Sequence, residues 1–245
     1  MNFYSVIIGT ELLNGRRRDK HFRFLNEHLI KRGWEQKASF VIEDDPKFIE
    51  DIFRFIKNDP NGVMFCFGGI GATPDDYTRV AAGNVFTNGE MEINEDVKKC
   101  IVDQFGDESY PHRINMANIP IDASLLKNVV TNIPGFALQN RYFFVPGFPS
   151  MANSMVIEAL DRYYPKNKPK YRLSLKATCG ENILIDTMKK IPAHIDMSSL
   201  PKIVEDTRYV IISIASYDED ETKSYFKLFT DFLDSKKIQY ILSDK

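Results

Sequence analysis

Val63-Met64-Phe65-Cys66-Phe67-Gly68-Gly69-Ile70-Gly71-Ala72-Thr73-Pro74-Asp75-Asp76-Tyr77-Thr78 is the stretch on which the fold turns. Five apolar residues have the length of a buried strand, and three glycines in four positions follow at once. Glycine lets the backbone reach positive φ and lets N–H groups approach a ligand closely. Thr73, Asp75 and Asp76 then precede a helical pattern. They read in two ways. They cap the helix, which favours acidic first-turn residues. Or the carboxylates hold a divalent cation beside a phosphate at the helix start. The stretch lacks the Gly-Lys-Ser/Thr of a nucleoside-triphosphate loop and the spacing of a dinucleotide-binding fingerprint.

Working toward the N-terminus, Phe3–Ile8 is another apolar run, closed by Gly9. Phe22, Leu25 and Leu29 share a helix face, and Lys31-Arg32-Gly33 stops it. Ala38–Ile42 reads as a strand. Ile49, Ile52, Phe53 and Ile56 make a second helical stripe, ended by Asn58–Gly62. The order βαβαβ implies a mostly parallel sheet with helices on both faces. Toward the C-terminus come a helix near Asn94–Phe105, strands near Val129 and at Tyr142–Val145, and a helix from Ser150 to Tyr163. Tyr163–Lys170 carries two prolines and three lysines, as a linker does. Beyond it, Tyr171–Thr178, Tyr209–Ala215 and Ile238–Leu242 read as strands. Leu184, Met188 and Ile191, then Phe226, Phe229 and Leu233, read as helical stripes. The expected division is a domain over 1–165 and a small α+β domain, βαββαβ, over 170–245.

Composition bounds the function. The chain has 245 residues, 43% hydrophobic and 27% charged. That excludes disorder and a disulfide scaffold. With 32 Lys+Arg against 34 Asp+Glu the net charge is −2, so a general nucleic-acid or membrane-surface binder is not expected. Cys66, Cys100 and Cys179 are scattered and odd in number, which reads as reduced thiols. No signal peptide or membrane span is apparent, and the expected location is the cytoplasm. The histidines show no metal spacing; His21 alone lies close to a candidate loop.

In an open parallel sheet, ligands bind at the carboxyl ends of the strands. Three segments are expected there. One is Gly9-Thr10-Glu11-Leu12-Leu13-Asn14-Gly15, followed by Arg16-Arg17-Arg18-Asp19. The second is Gly68–Asp76. The third is Pro146-Gly147-Phe148-Pro149-Ser150. The arginines suit phosphate or carboxylate, or form a solvated run. Asp19 suits the N-cap of the helix over Lys20–Arg32, and Ser150 that of the helix it precedes.

These three segments together resemble the molybdopterin-binding (MoaB/MogA-like) domain superfamily. More closely they resemble the N-terminal part of the competence/damage-inducible protein A (CinA) family. Gly9–Gly15 is similar to the family's Gly-Thr/Asp-Glu-Leu-Leu-x-Gly. Gly68–Thr78 is similar to Gly-Gly-Leu/Ile-Gly-Pro-Thr-x-Asp-Asp-Leu/Val-Thr, with Ala72 for proline and Tyr77 for the aliphatic residue. Val145–Ser150 is similar to Leu-Pro-Gly-x-Pro-Ser. Gly180-Glu181-Asn182 resembles the Gly-Glu-Ser of the family's small KH-like domain. Two departures stand out: Lys20-His21 stand for Thr-Asn after Asp19, and Met151 replaces an acidic residue.

The resemblance implies a three-layer α/β sandwich with a mostly parallel sheet, followed by a small KH-like or ferredoxin-like α+β domain. It implies a homo-oligomer, dimer or trimer, with a phosphorylated small-molecule ligand, nucleotide or pterin. It implies hydrolysis of a nucleotide pyrophosphate such as ADP-ribose, with a divalent metal (Mg²⁺, Mn²⁺ or Co²⁺) and K⁺. The alternatives are binding or adenylylation of molybdopterin, or a non-catalytic module of the same fold. Asp76 and Asp75 are the expected catalytic residues and, with Glu11, the expected metal ligands. Gly9, Thr10, Gly15, Arg16, Asp19, Gly68, Gly69, Gly71, Thr73, Thr78, Pro146, Gly147, Pro149 and Ser150 are the expected ligand-binding set. The family's nicotinamide-nucleotide amidase domain has no counterpart in these motifs, so no amidase activity is expected. RNA binding by a KH domain needs a Gly-x-x-Gly loop, and none occurs between Tyr171 and Lys245.

Overall fold

The structure is a computed structural model and describes residues 1–205 and 207–243. Asp206 and the last two positions of the 170–245 range lie outside the described residues. The chain forms two compact units, Met1–Asn167 and Lys168–Lys245.

In the first unit the elements run β1 (Asn2–Ile8), α1 (Thr10–Leu13), α2 (His21–Lys31), β2 (Gln36–Ile42), α3 (Pro46–Lys57), β3 (Gly62–Phe67) and α4 (Thr78–Phe86). Then follow β4 (Met91–Ile93), α5 (Glu95–Phe105), β5 (Asn118–Pro120), β6 (Ser124–Leu126), β7 (Gly135–Leu138), β8 (Tyr142–Val145) and α6 (Pro149–Tyr163). The main sheet has the order β2-β1-β3-β8-β7-β6. β2, β1, β3 and β8 are parallel, and β7 and β6 complete one side antiparallel. The small pair β4-β5 stands apart from it.

Strand alternation splits the core into two layers. Tyr4, Val6, Ile8, Met64, Cys66 and Phe144 face α3, α4 and α5, where Ile49, Phe53, Ile56, Ala82 and Ile101 meet them. Phe3, Ile7, Phe65, Phe67 and Phe143 face α2 and α6, against Leu25, Leu29, Met155 and Val156. β1, β3 and β8 are covered on both faces and read as apolar runs, whereas the edge strand β2 alternates half-buried and exposed residues. Ser5 is the buried polar residue of β1. Its hydroxyl donates to Ser39 Oγ at 2.7 Å.

Four local expectations are corrected. Val129 is not in a strand. Asn128 Oδ1 accepts from Val130 N at 3.0 Å and Thr131 N at 3.3 Å. This side-chain turn outcompetes the β-branched pair's strand preference, and β6 and β7 lie on either side of it. Ser150 does not cap α6. Pro149 opens the helix with its fixed φ, which makes Phe148 the cap residue and places Ser150 in the first turn. None of Thr73, Asp75 or Asp76 caps α4. The first N–H of that helix, Thr78 N, is satisfied by Gly69 O at 3.0 Å. Asp19 lies one position before the cap residue of α2, which is Lys20, and its two carboxylate oxygens accept from His21 N at 2.8 Å and Phe22 N at 3.1 Å in the first turn.

The second unit runs β9 (Tyr171–Ala177), a 3-10 turn into α7 (Ile185–Met188), β10 (Asp196–Val204), β11 (Thr207–Ser216), α8 (Glu219–Ser235) and β12 (Tyr240–Ser243). Its sheet, β10-β11-β9-β12, is antiparallel throughout. This is the βαββαβ arrangement expected from the sequence. Phe226, Phe229 and Leu233 of α8 pack on Leu175, Val210, Ile212 and Ile214. Among the described residues no helix is long and apolar enough to cross a membrane.

Candidate functional site

β1, β3 and β8 are parallel neighbours, so the loops that leave their carboxyl ends must emerge side by side. They do, around a cleft of about 720 Å³. Gly68 N donates to Val145 O at 2.9 Å, which joins the second loop to the third. Gly68 has φ +98°, and a Cβ there would lie 2.7 Å from Ile8 O. The turn therefore rests directly on β1, and only glycine fits.

The glycine turn is rigidly built. Thr78, fully buried, donates its hydroxyl to Gly68 O at 2.9 Å. Gly69 has φ +68°, and a Cβ would fall 2.2 Å from that hydroxyl oxygen. Arg79 Nη1 donates to the carbonyls of Ile70 and Gly71. Burial pulls the Arg79 pKa down, and neighbouring Asp76 opposes that shift. With these carbonyls tied back, the N–H groups of Gly69, Ile70, Gly71 and Ala72 have no hydrogen-bond partner among the described residues. Four successive N–H groups without a partner, on residues that line the cleft, are donors that an anion can accept from.

Asp76 is tied to the same turn. Its Oδ2 accepts from Thr73 N at 2.7 Å and Thr73 Oγ1 at 2.5 Å. Its other oxygen makes no such bond. A hydrogen bond from Thr73, then one from its own backbone, holds Asp75 below the ordinary carboxylate range.

The first loop supplies charge. Arg17 turns inward. Its Nη2 donates to Gly147 O at 2.7 Å, its Nη1 to Glu11 Oε1 at 3.3 Å, and its guanidinium carbon lies 5.5 Å from the Phe148 ring centre. His21 Nε2 also meets Gly147 O, at 3.1 Å, and its ring stacks on Phe67 at 4.4 Å. His21 is buried, its Nδ1 has no partner, and burial lowers its pKa.

Of the sequence-derived set, Gly9, Glu11, Asp19, Gly68, Gly69, Gly71, Thr73, Asp75, Asp76, Pro146, Gly147 and Pro149 line the cleft. Five do not. Thr10 is engaged by Asp44 Oδ2, with 2.8 Å to both its N and its Oγ1. Gly15 lies away from the cleft. Arg16 points outward, with its Nε on Asn14 Oδ1 at 3.1 Å. Thr78 sits beneath the turn, and Ser150 is in α6. Glu11 is paired with Arg17, and among the described residues no three His, Cys, Asp or Glu side chains gather as a metal cluster.

The structure adds residues that the motifs did not single out for the site. Asp44 follows β2, the fourth parallel strand, and its place after a strand end was the available signal. Phe105, Met116, Ile119, Ile133 and Phe136 make an apolar extension of the cleft. Lys20, His21 and Met151, the departures from the motif, all line its wall.

The comparisons agree with this geometry. The family described as probable molybdopterin binding domain matches residues 5–165. A CinA-like protein of Fusobacterium nucleatum is 28% identical over 191 residues, 76% of this chain and 47% of that protein. A CinA-like protein of Sulfurihydrogenibium is 25% identical over 243 residues, 94% of this chain and 59% of that one. The chain thus spans about half to three-fifths of those relatives' length. The crystal structure of the protein CinA, of unknown function, from Thermoplasma acidophilum superposes with a TM-score of 0.59 at 26% identity. That match covers 66% of this chain and 98% of that one. With parallel strands, glycine turn and cleft all inside the matched segment, the chain belongs to the probable molybdopterin binding domain family and is CinA-like within it.

Proposed function

We propose that the cleft binds a phosphorylated small molecule and hydrolyses its pyrophosphate, with a nucleotide such as ADP-ribose as the substrate class. The observation that supports this reading most is the row of four unpartnered N–H groups, Gly69 to Ala72, next to a carboxylate fixed on the same turn. One phosphate would accept from that row. Arg18, exposed and lining the cleft, would meet the other. Water attacks one phosphorus, the bridging P–O bond breaks, and AMP and a sugar phosphate leave. Asp76, with its second oxygen available, would orient the water and take its proton. The N–H row would stabilise charge on the phosphoryl oxygens without rearranging.

A divalent cation fits this donor set. Asp75 and Asp76 offer carboxylate oxygens, and a hard cation such as Mg²⁺ takes few protein ligands beside phosphate and water. When bound it would supply charge neutralisation at the pyrophosphate. Glu11, already paired with Arg17, is the weaker candidate ligand.

The apolar extension favours a second reading, a molybdopterin-binding site, since a pterin also joins a flat ring to a phosphate. Turnover separates the two. Purified protein is incubated with ADP-ribose and Mg²⁺, Mn²⁺ or Co²⁺, with and without K⁺, beside Asp76→Ala. Metal-dependent AMP release lost in the variant supports hydrolysis. No release, with tight molybdopterin binding, replaces it by the second reading.

A further inference from the structure

Phe148 is 59% exposed at a loop whose neighbours are pinned. Gly147 O receives both Arg17 and His21. Pro149 restricts the backbone of the residue before it to the extended region, and Phe148 has φ −95° and ψ 118°. Arg17 stands 5.5 Å from the ring centre, within cation–π range. The backbone that carries the ring is therefore set in the extended region, and the exposed ring lies at the cleft wall beside Arg17. The neighbouring Gly147 abuts the glycine turn, where a Cβ on Gly147 would be 3.4 Å from Gly68 Cα, and Phe148 lines the same cleft as Gly69 to Ala72.

We propose that Phe148 is a stacking platform for the flat heterocycle of the phosphorylated ligand, and that it determines specificity for ligands carrying a ring close to a phosphate. The inference rests on the cleft being a phosphate-ligand site, as set out above. Nucleobase and pterin share the required chemistry, a planar heteroaromatic ring that lies on an aromatic face. Arg17 organises the wall through Gly147 and Glu11, and Phe148 meets the ring.

The test is calorimetric binding of three probes in Mg²⁺ to wild type, Phe148→Ala and Phe148→Trp. The probes are inorganic pyrophosphate, AMP and neopterin monophosphate. Phe148→Ala is expected to weaken a ring-bearing probe about tenfold, the size of one base–aromatic stack, and to leave pyrophosphate unchanged. Phe148→Trp is expected to restore the ring-bearing probe. AMP or neopterin monophosphate responding alone tells base from pterin. Equal affinity of wild type and Phe148→Ala for both ring-bearing probes overturns the platform and leaves the cleft reading intact. Failure of folded wild type to bind any of the three removes both.

Discussion

Replacing Gly68 by alanine should cost far more than replacing Gly15. Both have positive φ, +98° and +79°. Positive φ alone costs an L-residue about 1 kcal/mol, and a lower unfolded-state entropy returns part of it. Around Gly15 a Cβ meets nothing within 4 Å, so only the φ term acts. At Gly68 the Cβ lies 2.7 Å from Ile8 O, a backbone atom of a strand buried on both faces. β1 cannot yield without disturbing its ladder to β3, so an overpacking term of about 2 kcal/mol is added. The expected losses are thus about 1 kcal/mol for Gly15→Ala and about 3 kcal/mol for Gly68→Ala. Urea unfolding read by Trp34 fluorescence measures them. Trp34 is the single tryptophan and lies in the first unit, packed 5.4 Å from Phe3. The midpoint should drop by about 1–2 M urea for Gly68→Ala. Equal losses at the two positions would refute the argument that close approach to β1 demands glycine there.

Other perturbations follow from the same contacts. Asp76→Ala should abolish metal-dependent turnover, by about a hundredfold or more, while Trp34-read stability changes by less than about 1 kcal/mol, since its bonds are exposed. His21 has a pKa below its ordinary 6.5 because burial disfavours the cation. Its neutral form thus contributes stability in full above about pH 6.5, and that contribution is lost as pH falls toward the lower folded value. Unfolding of wild type and His21→Phe across pH 5 to 8 should show a slope that the variant flattens. Asp59 accepts from Asn2 Nδ2 and from Tyr4 OH, each at 2.7 Å, which holds its pKa far below the carboxylate range. Asp59→Ala should cost about 2 kcal/mol at neutral pH. Since a depressed carboxylate pKa adds stability only above the unfolded value, the difference from wild type should shrink below about pH 4.

Much of the site was legible because its chemistry is contiguous in sequence. Gly68 to Thr78 carries its own meaning: consecutive glycines after a strand, then Thr73 and Asp76 close enough to bond each other. The parallel order followed from apolar runs separated by helical stripes, and it placed three loops on one edge. What stayed hidden depends on direction or on distant partners. Of Arg16, Arg17 and Arg18, only the geometry after the short α1 helix decides that Arg17 turns inward to Gly147 and Arg16 outward to Asn14. Asp44 reaches Thr10 across 34 positions, through β2 pairing with β1. The apolar wall from Phe105 to Phe136 comes from a segment of short strands and 3-10 turns, where no long period marks a face. Val129 failed because Asn128 supplies a local turn that a strand reading of β-branched residues does not see. Ser150 failed because Pro149 had already started the helix.

The most direct test of the central claim is whether the cleft takes a pyrophosphate ligand at all. A non-hydrolysable methylene analogue of ADP-ribose titrated calorimetrically into the folded chain in Mg²⁺ should saturate at one site per chain, and inorganic pyrophosphate should compete for it. Folded protein that gives no binding at millimolar analogue, or binding that pyrophosphate does not displace, would contradict the account.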